Sequence, residues 1–143
     1  VALSLTNLKL LKYIVKNKLN NVLVLEDDAI INTNKGSFPK YLKLSRDIAL
    51  YYLGGHVWNS KLWGTYAIIY PNWNITREVL EELLNPKRFR AWDSMMVNYI
   101  HKTHLVKGFW DYRDKTENLE HVNWSKSLII PDLNLTSILR GTN

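Results

Sequence analysis

The apolar residues of this chain recur at two spacings, one typical of helices and one typical of strands. Residues 4–18 carry an apolar stripe at helical spacing, with lysines largely on the opposite side. Further helices are predicted over 39–45, 75–84 and 94–102. Short apolar runs that end at polar residues, Gly or Pro predict buried strands over 22–25, 48–53 and 63–70. Because strands alternate with helices, we expect an α/β fold with a mixed, mainly parallel sheet flanked by helices.

Composition narrows the class of protein. The chain has 143 residues, 46% of them hydrophobic and 22% charged, so we expect residues 1–143 to form a single globular domain. It contains no cysteine, which excludes disulfides, thiolate zinc sites and cysteine nucleophiles. No apolar stretch approaches the roughly 20 residues that a membrane span requires, and no signal-peptide pattern is present at the start. A cytoplasmic location is therefore favoured, with no membrane span.

Three consecutive carboxylates follow the first predicted strand, in the run VLVLEDDA over residues 22–29. Adjacent like charges are costly to pack unless a cation neutralises Glu26, Asp27 and Asp28, and a divalent metal is a suitable cation. Open α/β sheets also bind their ligands beyond the carboxyl ends of their strands. Mg²⁺ and Mn²⁺ prefer carboxylate oxygens and can carry a phosphorylated substrate. The alternative is a strand that ends in a solvated acidic turn.

Asp93 is a second acidic candidate, at the start of the predicted helix 94–102. An Asp in this position is commonly a helix N-cap, which accepts a hydrogen bond from a backbone amide of the first turn. A carboxylate beside Trp92 at such a junction can also act as the general base for a hydroxyl. The two roles can coexist, because one oxygen can cap the helix while the other accepts a proton.

Two glycines and two histidines complete the set of candidates. Gly54 and Gly55 follow the predicted strand 48–53, where they allow a tight turn or a close approach of the backbone to a ligand. His56 follows them and could line a pocket. His121, in a polar segment, could bind a metal or a phosphate. For each histidine the alternative is an ordinary surface or half-buried side chain.

The net charge of +6 has two interpretations. Basic proteins often bind polyanions, and 6 Trp and 8 Tyr could stack on bases. The positive residues are scattered, however, and a basic rim around an acidic metal site would suit an anionic nucleotide equally well. An acidic triplet would repel the phosphates of a nucleic acid unless it held a metal. We therefore expect no nucleic-acid partner.

The order of these features resembles the glycosyltransferases of family 25, which include lipooligosaccharide and collagen galactosyltransferases. The resemblance covers most of the chain, and its sharp element is the Leu-Glu-Asp-Asp-Ala run at 25–29. Similar small enzymes are encoded by some large DNA viruses, and a composition rich in Asn, Lys, Ile and Tyr suits a low-GC genome. The other matching segments are 2–4, 48–54, 64–69, Asp93 and 135–138.

The resemblance implies a GT-A-like transferase that uses a nucleotide-diphosphate sugar, most simply a UDP-sugar. By position, Asp28 would bind Mn²⁺ or Mg²⁺, and Glu26 or Asp27 would contact the ribose or a metal-bound water. Asp93 would accept the proton of the glycan or other hydroxyl acceptor in an inverting reaction without a covalent intermediate. The remaining predicted site residues are Gly54, Gly55 and Ser137 for the donor, with Glu26 and His121 as further metal ligands.

One departure from the family pattern leaves two alternatives. Enzymes of this kind usually begin with a strand-helix unit whose Arg-rich loop builds much of the nucleotide pocket. About 50 to 60 residues are missing here by comparison with ordinary domain sizes, so we expect a fragment of a larger domain or a truncated donor site. The alternative function is therefore a non-catalytic relative that binds nucleotide sugar or glycan. A basic nucleic-acid-binding module is a distant third. The sequence does not fix the oligomeric state, the donor sugar or the acceptor.

Overall fold

A computed structural model describes residues 2–32, 42–59, 61–110, 113–114 and 128–132. None of the helices in these ranges is long and apolar enough to cross a membrane. In chain order the elements are α1 (Ala2–Lys16), β1 (Val22–Leu25), β2 (Ala29–Ile31), β3 (Leu50–Tyr52), β4 (His56–Trp58), β5 (Lys61–Trp63), β6 (Ala67–Tyr70), α2 (Trp73–Leu83), α3 (Trp92–Met95), α4 (His101–Thr103), β7 (Val106–Trp110), β8 (Arg113–Asp114) and β9 (Ile129–Pro131). Helix α3 continues through a π-helical segment, Met96–Ile100, into α4, and a 3₁₀ turn precedes α3 at Pro86–Arg88.

The main sheet has five strands in the order β1-β6-β3-β7-β8. Among the described strands, β6 runs antiparallel to both β1 and β3, β8 runs antiparallel to β7, and β3 and β7 form the one parallel pair. The prediction of an α/β fold with a mixed sheet is confirmed, but the prediction that the sheet is mainly parallel is wrong. The segment between β3 and β6 contains the β4–β5 hairpin and no crossover helix, so the chain returns beside β3 in the opposite direction.

Apolar side chains cover both faces of this sheet. On one face the helices pack over alternate strand residues, including Leu50 and Tyr52 of β3 and Ile68 and Tyr70 of β6. On the other face a smaller cluster forms around Tyr51, Leu53, Ala67, Ile69, Leu128 and Ile129. The Ile129 amide donates to the Leu53 carbonyl at 2.9 Å, so the β2–β9 pair is anchored at the carboxyl end of β3.

Strand β1 differs from the prediction in its burial. The run 22–25 is a strand as expected, but its side chains alternate between half-buried and exposed. Leu23 and Leu25 are 46% and 52% exposed, because β1 is at the edge of the sheet and the described elements on its second face do not cover it.

The prediction of a helix over 39–45 is wrong for residues 42–45, which are not helical. Residues 39–41 lie outside the described ranges.

The buried Tyr52 and the half-buried His101 join the sheet to the helical segment that carries Asp93. The Tyr52 hydroxyl lies 3.1 Å from His101 Nε2, and the two rings meet edge to face. Burial lowers the pKa of His101 to about 4, with a smaller effect from the Lys61 charge. Burial also raises the pKa of Tyr52, helped by Tyr70 and by the negative charge of Asp93. Both side chains are therefore neutral at neutral pH.

Because its pKa is lower in the folded chain than in the unfolded chain, His101 makes stability depend on pH. Between about pH 4 and pH 6.5 the unfolded chain binds a proton that folded His101 does not, so the free energy of unfolding decreases as the pH falls through this window. The loss at the acid end is at most about 3 kcal/mol. Urea unfolding of the wild type and of His101→Gln from pH 7 to pH 4.5 would measure it. Equal pH dependence in both proteins would contradict the assignment.

Candidate functional site

Glu26 is held at the end of β1 by both its backbone and its side chain. Its amide donates to the Tyr66 carbonyl at 2.8 Å, which extends the β1–β6 pairing by one residue. Its Oε1 accepts a hydrogen bond from the Thr65 hydroxyl at 2.7 Å. Burial raises the pKa of Glu26; the Thr65 hydrogen bond opposes this rise, and the charges of three other carboxylates reinforce it. Those three carboxylates belong to Asp28, Asp27 and Asp93.

Asp27 and Asp28 occupy a tight turn between β1 and β2. The Ala29 amide donates to the Glu26 carbonyl at 3.1 Å, which closes a four-residue turn with both aspartates at its centre. Asp27 is exposed, whereas Asp28 is half-buried and its Oδ1 atom is buried. The Asp28 carbonyl also accepts a hydrogen bond from the Asp132 amide at 2.6 Å. The turn is therefore fixed from two sides, and Glu26 and Asp28 are its sheltered carboxylates.

Asp93 comes from a distant part of the sequence but lies close enough to the end of β1 for its charge to influence the pKa of Glu26. It is the second residue of α3, after Trp92, whose ring is 2% exposed and fixes the first helical turn in the core. On the other side, the buried Ser4 hydroxyl of α1 donates to the Arg90 carbonyl at 2.6 Å and holds the approach to α3. The negative charge of Asp93 contributes to the raised pKa values of both Glu26 and Tyr52. Asp93 and the end of β1 therefore share one electrostatic environment.

The N-cap role considered for Asp93 is not observed. The N-cap residue is Ala91, which makes no side-chain cap hydrogen bond. Asp93 Oδ1 instead accepts a hydrogen bond from the neighbouring Ser94 amide at 2.7 Å. Within the described ranges no further hydrogen bond to this carboxylate is made. A half-buried carboxylate with one oxygen engaged can still accept a proton through the other, so the general-base role stays a prediction.

The adjacent glycines pack against the protein's own chain. A Cβ atom on Gly54 would lie 2.7 Å from the ring of Tyr66, and a Cβ atom on Gly55 would overlap the Trp63 carbonyl. Gly55 also has a φ of +95°, which favours glycine. Both positions thus require glycine for the turn itself, and their role in donor binding stays a prediction. The turn leads directly into His56.

His56, which the sequence suggested as a pocket-lining residue, lies close enough to Asp93 for that carboxylate to influence its pKa. Burial lowers its pKa, and the nearby Asp93 charge opposes that effect, so the ring is neutral at neutral pH. Its Nδ1 atom is buried and has no hydrogen-bond partner among the described residues.

Thr65, which donates a hydrogen bond to Glu26, was not predicted as a site residue from the sequence. Pairing β1 with the strand after Gly64-Thr65 would have identified it, because that register puts Thr65 beside the acidic end of β1.

The cluster fits a divalent cation in charge and donor type. Glu26 and Asp28 supply carboxylate oxygens, and only carboxylates appear among the charged groups that shift the Glu26 pKa. Within residues 2–32, 42–59, 61–110, 113–114 and 128–132, no three His, Asp or Glu side chains are already arranged around a common metal position. The predicted ligand His121 and the predicted donor residue Ser137 lie outside the described ranges.

Comparisons with family models, with curated proteins and with solved structures gave no match for this chain. The family resemblance drawn from the sequence therefore stays a prediction.

The shared electrostatic environment of Glu26 and Asp93 can be tested directly. Asp93→Asn removes one negative charge, so we expect the pKa of the Glu26 carboxyl group to decrease. Thr65→Val removes the hydrogen bond to the charged form, so that pKa should increase. Carboxyl-detected NMR titration would measure both changes. The exposed Asp47→Asn is the matched control and should change nothing; an unchanged Glu26 pKa in Asp93→Asn would contradict the arrangement.

Proposed function

We propose that this chain acts as a metal-dependent inverting glycosyltransferase. It would move a sugar from a nucleotide-diphosphate donor, a UDP-sugar, to a hydroxyl of a glycan or another acceptor. One observation carries the proposal: Asp93, at the start of α3, lies close enough to the half-buried Glu26, at the end of β1, for its charge to contribute to the raised pKa of Glu26, although the two segments are distant in the sequence. This is what a transferase of this class requires, since one carboxylate group must hold the donor while another activates the acceptor.

The donor side is assigned to the turn after β1. Asp28 and Glu26 would hold Mn²⁺ or Mg²⁺, whose positive charge stabilises the departing diphosphate when the ion is bound. The raised pKa of Glu26 supports this assignment: it reflects burial first and the neighbouring carboxylates second, and a bound cation would offset both costs of ionising the carboxyl group. Thr65 fixes the Glu26 carboxylate through a 2.7 Å hydrogen bond, so the ligand is oriented before the donor arrives. The exposed Asp27 is left to contact the ribose.

The acceptor side is assigned to Asp93. Its carboxylate accepts the proton of the acceptor hydroxyl as that oxygen attacks the anomeric carbon. The new bond from carbon to the acceptor oxygen forms opposite the breaking bond from carbon to the diphosphate oxygen, and the nucleoside diphosphate leaves with that electron pair. The configuration at carbon is inverted, and no covalent intermediate with the protein is needed. Neutral His56 can donate or accept a hydrogen bond beside the reacting groups without adding charge.

The donor assignment predicts metal-dependent nucleotide binding. Calorimetric titration of UDP should show binding with Mn²⁺ and none after excess chelator. Asp28→Asn keeps the side-chain shape but removes a charged ligand, so we expect the affinity for UDP to fall at least about tenfold. The exposed Asp47→Asn is the control and should bind like the wild type. UDP binding that is equally strong without the metal, or in Asp28→Asn, would contradict the assignment.

The acceptor assignment predicts a different effect at Asp93. Asp93→Asn loses only the proton acceptor, so UDP affinity should be retained while UDP release from UDP-sugars falls by about 10²- to 10⁴-fold. A panel of UDP-sugars, with and without simple glycan acceptors, would supply the rates. Normal turnover in Asp93→Asn would overturn the base assignment. A wild type that binds UDP but releases no UDP from any UDP-sugar would be a nucleotide-sugar-binding protein and not an enzyme.

A further inference from the structure

Among the described strands, β1 has a neighbour on one side only, β6, and the pairing with β6 determines which of its backbone groups point outward. The amide of Glu26, just after β1, donates to the carbonyl of Tyr66, just before β6. The amide of Leu53, just after β3, donates to the carbonyl of Ala67, the first residue of β6. Even-numbered residues of β6 therefore bond to β1 and odd-numbered residues to β3, so residues 22 and 24 of β1 face β6. The amides and carbonyls of Leu23 and Leu25 consequently point away from the sheet. Among the described strands, none pairs with them.

Exposed leucines border this edge on both faces of the sheet. Leu23 and Leu25 are half-exposed on the second face. On the first face, Leu3 and Leu10 of α1 are 45% and 38% exposed. These two leucines, with Val24, Leu25 and the acidic turn, line a groove of about 380 Å³. Proteins usually protect an open edge with Lys, Pro or a bulge, and the run Val-Leu-Val-Leu contains none of these.

We infer that this edge binds a second copy of the same chain, through antiparallel pairing of β1 with β1 of the partner subunit. The symmetric register that pairs both outward residues of one subunit with both outward residues of the other puts Val24 opposite Val24 of the partner and Leu23 opposite Leu25 of the partner. Each half-exposed leucine on the second face then meets a leucine across the seam. On the first face Leu3 and Leu10 of both α1 helices cover the junction. The result is a continuous sheet through both subunits.

The charges beside β1 are complementary in this register. The acidic residues 26–28 follow β1, whereas Lys16 and Lys18 precede it. Antiparallel pairing places the acidic turn that follows β1 of one subunit beside the segment that precedes β1 of the other, so the acidic end of each strand lies near the basic end of its partner. A parallel arrangement would instead bring like charges together. This charge pattern favours a second copy over an unrelated strand, and the inference does not depend on the proposed function.

Sedimentation equilibrium of the whole chain tests the inference. We expect a concentration-dependent dimer, and Leu23→Lys should raise the dimer dissociation constant about tenfold or more, because it introduces two like charges at the seam. Leu105→Lys is the matched control: Leu105 is 64% exposed, precedes β7 and should leave the dissociation constant unchanged. A monomer at every concentration would overturn the inference, as would equal effects of the two variants.

Hydrogen exchange gives a second readout that does not depend on the variants. The Leu23 and Leu25 amides should be protected at high protein concentration and exchange freely at low concentration. The Val24 amide bonds within the monomer, so it should be protected throughout, and its protection in Leu23→Lys would confirm that the variant folds. A dimer whose Leu23 and Leu25 amides exchange freely at every concentration would show that the contact lies on another surface.

Discussion

The structure depends on the pairing of β6 with strands on both sides. This strand bonds to β1 through its even-numbered residues and to β3 through its odd-numbered residues, so it fixes the register of both. Its four side chains are all buried, two on each face of the sheet, and belong to the two apolar clusters. The helices on one face and the β2–β9 pair on the other therefore pack on a sheet whose centre is set by β6. Hydrophobic burial on both faces supplies the main driving force for this arrangement.

The same pairing assembles the candidate site. Because β6 runs antiparallel to its neighbours, the segment just before it lies beside the carboxyl ends of both β1 and β3. Thr65 and Tyr66 in that segment contact Glu26 from one strand and the glycine turn from the other. The buried Trp92 then holds Asp93 close enough to influence Glu26. The carboxylates are thus held by backbone pairing and core packing, and the repulsion among them is the cost of the arrangement.

Much of the local structure could be predicted from the sequence. The apolar stripe of residues 4–18 corresponds to α1, the run 22–25 is β1, and the pattern over 75–84 corresponds to α2 at Trp73–Leu83. These patterns are local, and burial of one side of the element determines them. Strand order is not local, so alternating strands and helices suggested a parallel sheet although β6 pairs antiparallel with both neighbours. The edge position of β1 escaped prediction for the same reason, since Leu23 and Leu25 have the composition of a buried strand.

The candidate site was predictable only in part. Three adjacent carboxylates after an apolar run were conspicuous, and so was Asp93 beside Trp92. The hydrogen bond from Thr65 and the position of His56 depend on strand register and on the glycine turn, and neither can be deduced from spacing along the chain. The N-cap role was a reasonable expectation for Asp93, but the helix begins earlier because Trp92 is buried in the core.

We propose that a cation held by Glu26 and Asp28 at the end of β1 lies beside the start of α3, which carries Asp93. NMR with Mn²⁺ tests it most directly, because the paramagnetic ion broadens the signals of nearby amides. We expect a small amount of Mn²⁺ to broaden the amides of residues 26–29 and of residues 92–94 together, and to broaden them more strongly than those of residues 80–83 in α2. Broadening of only one of the two groups, or of neither, would contradict it.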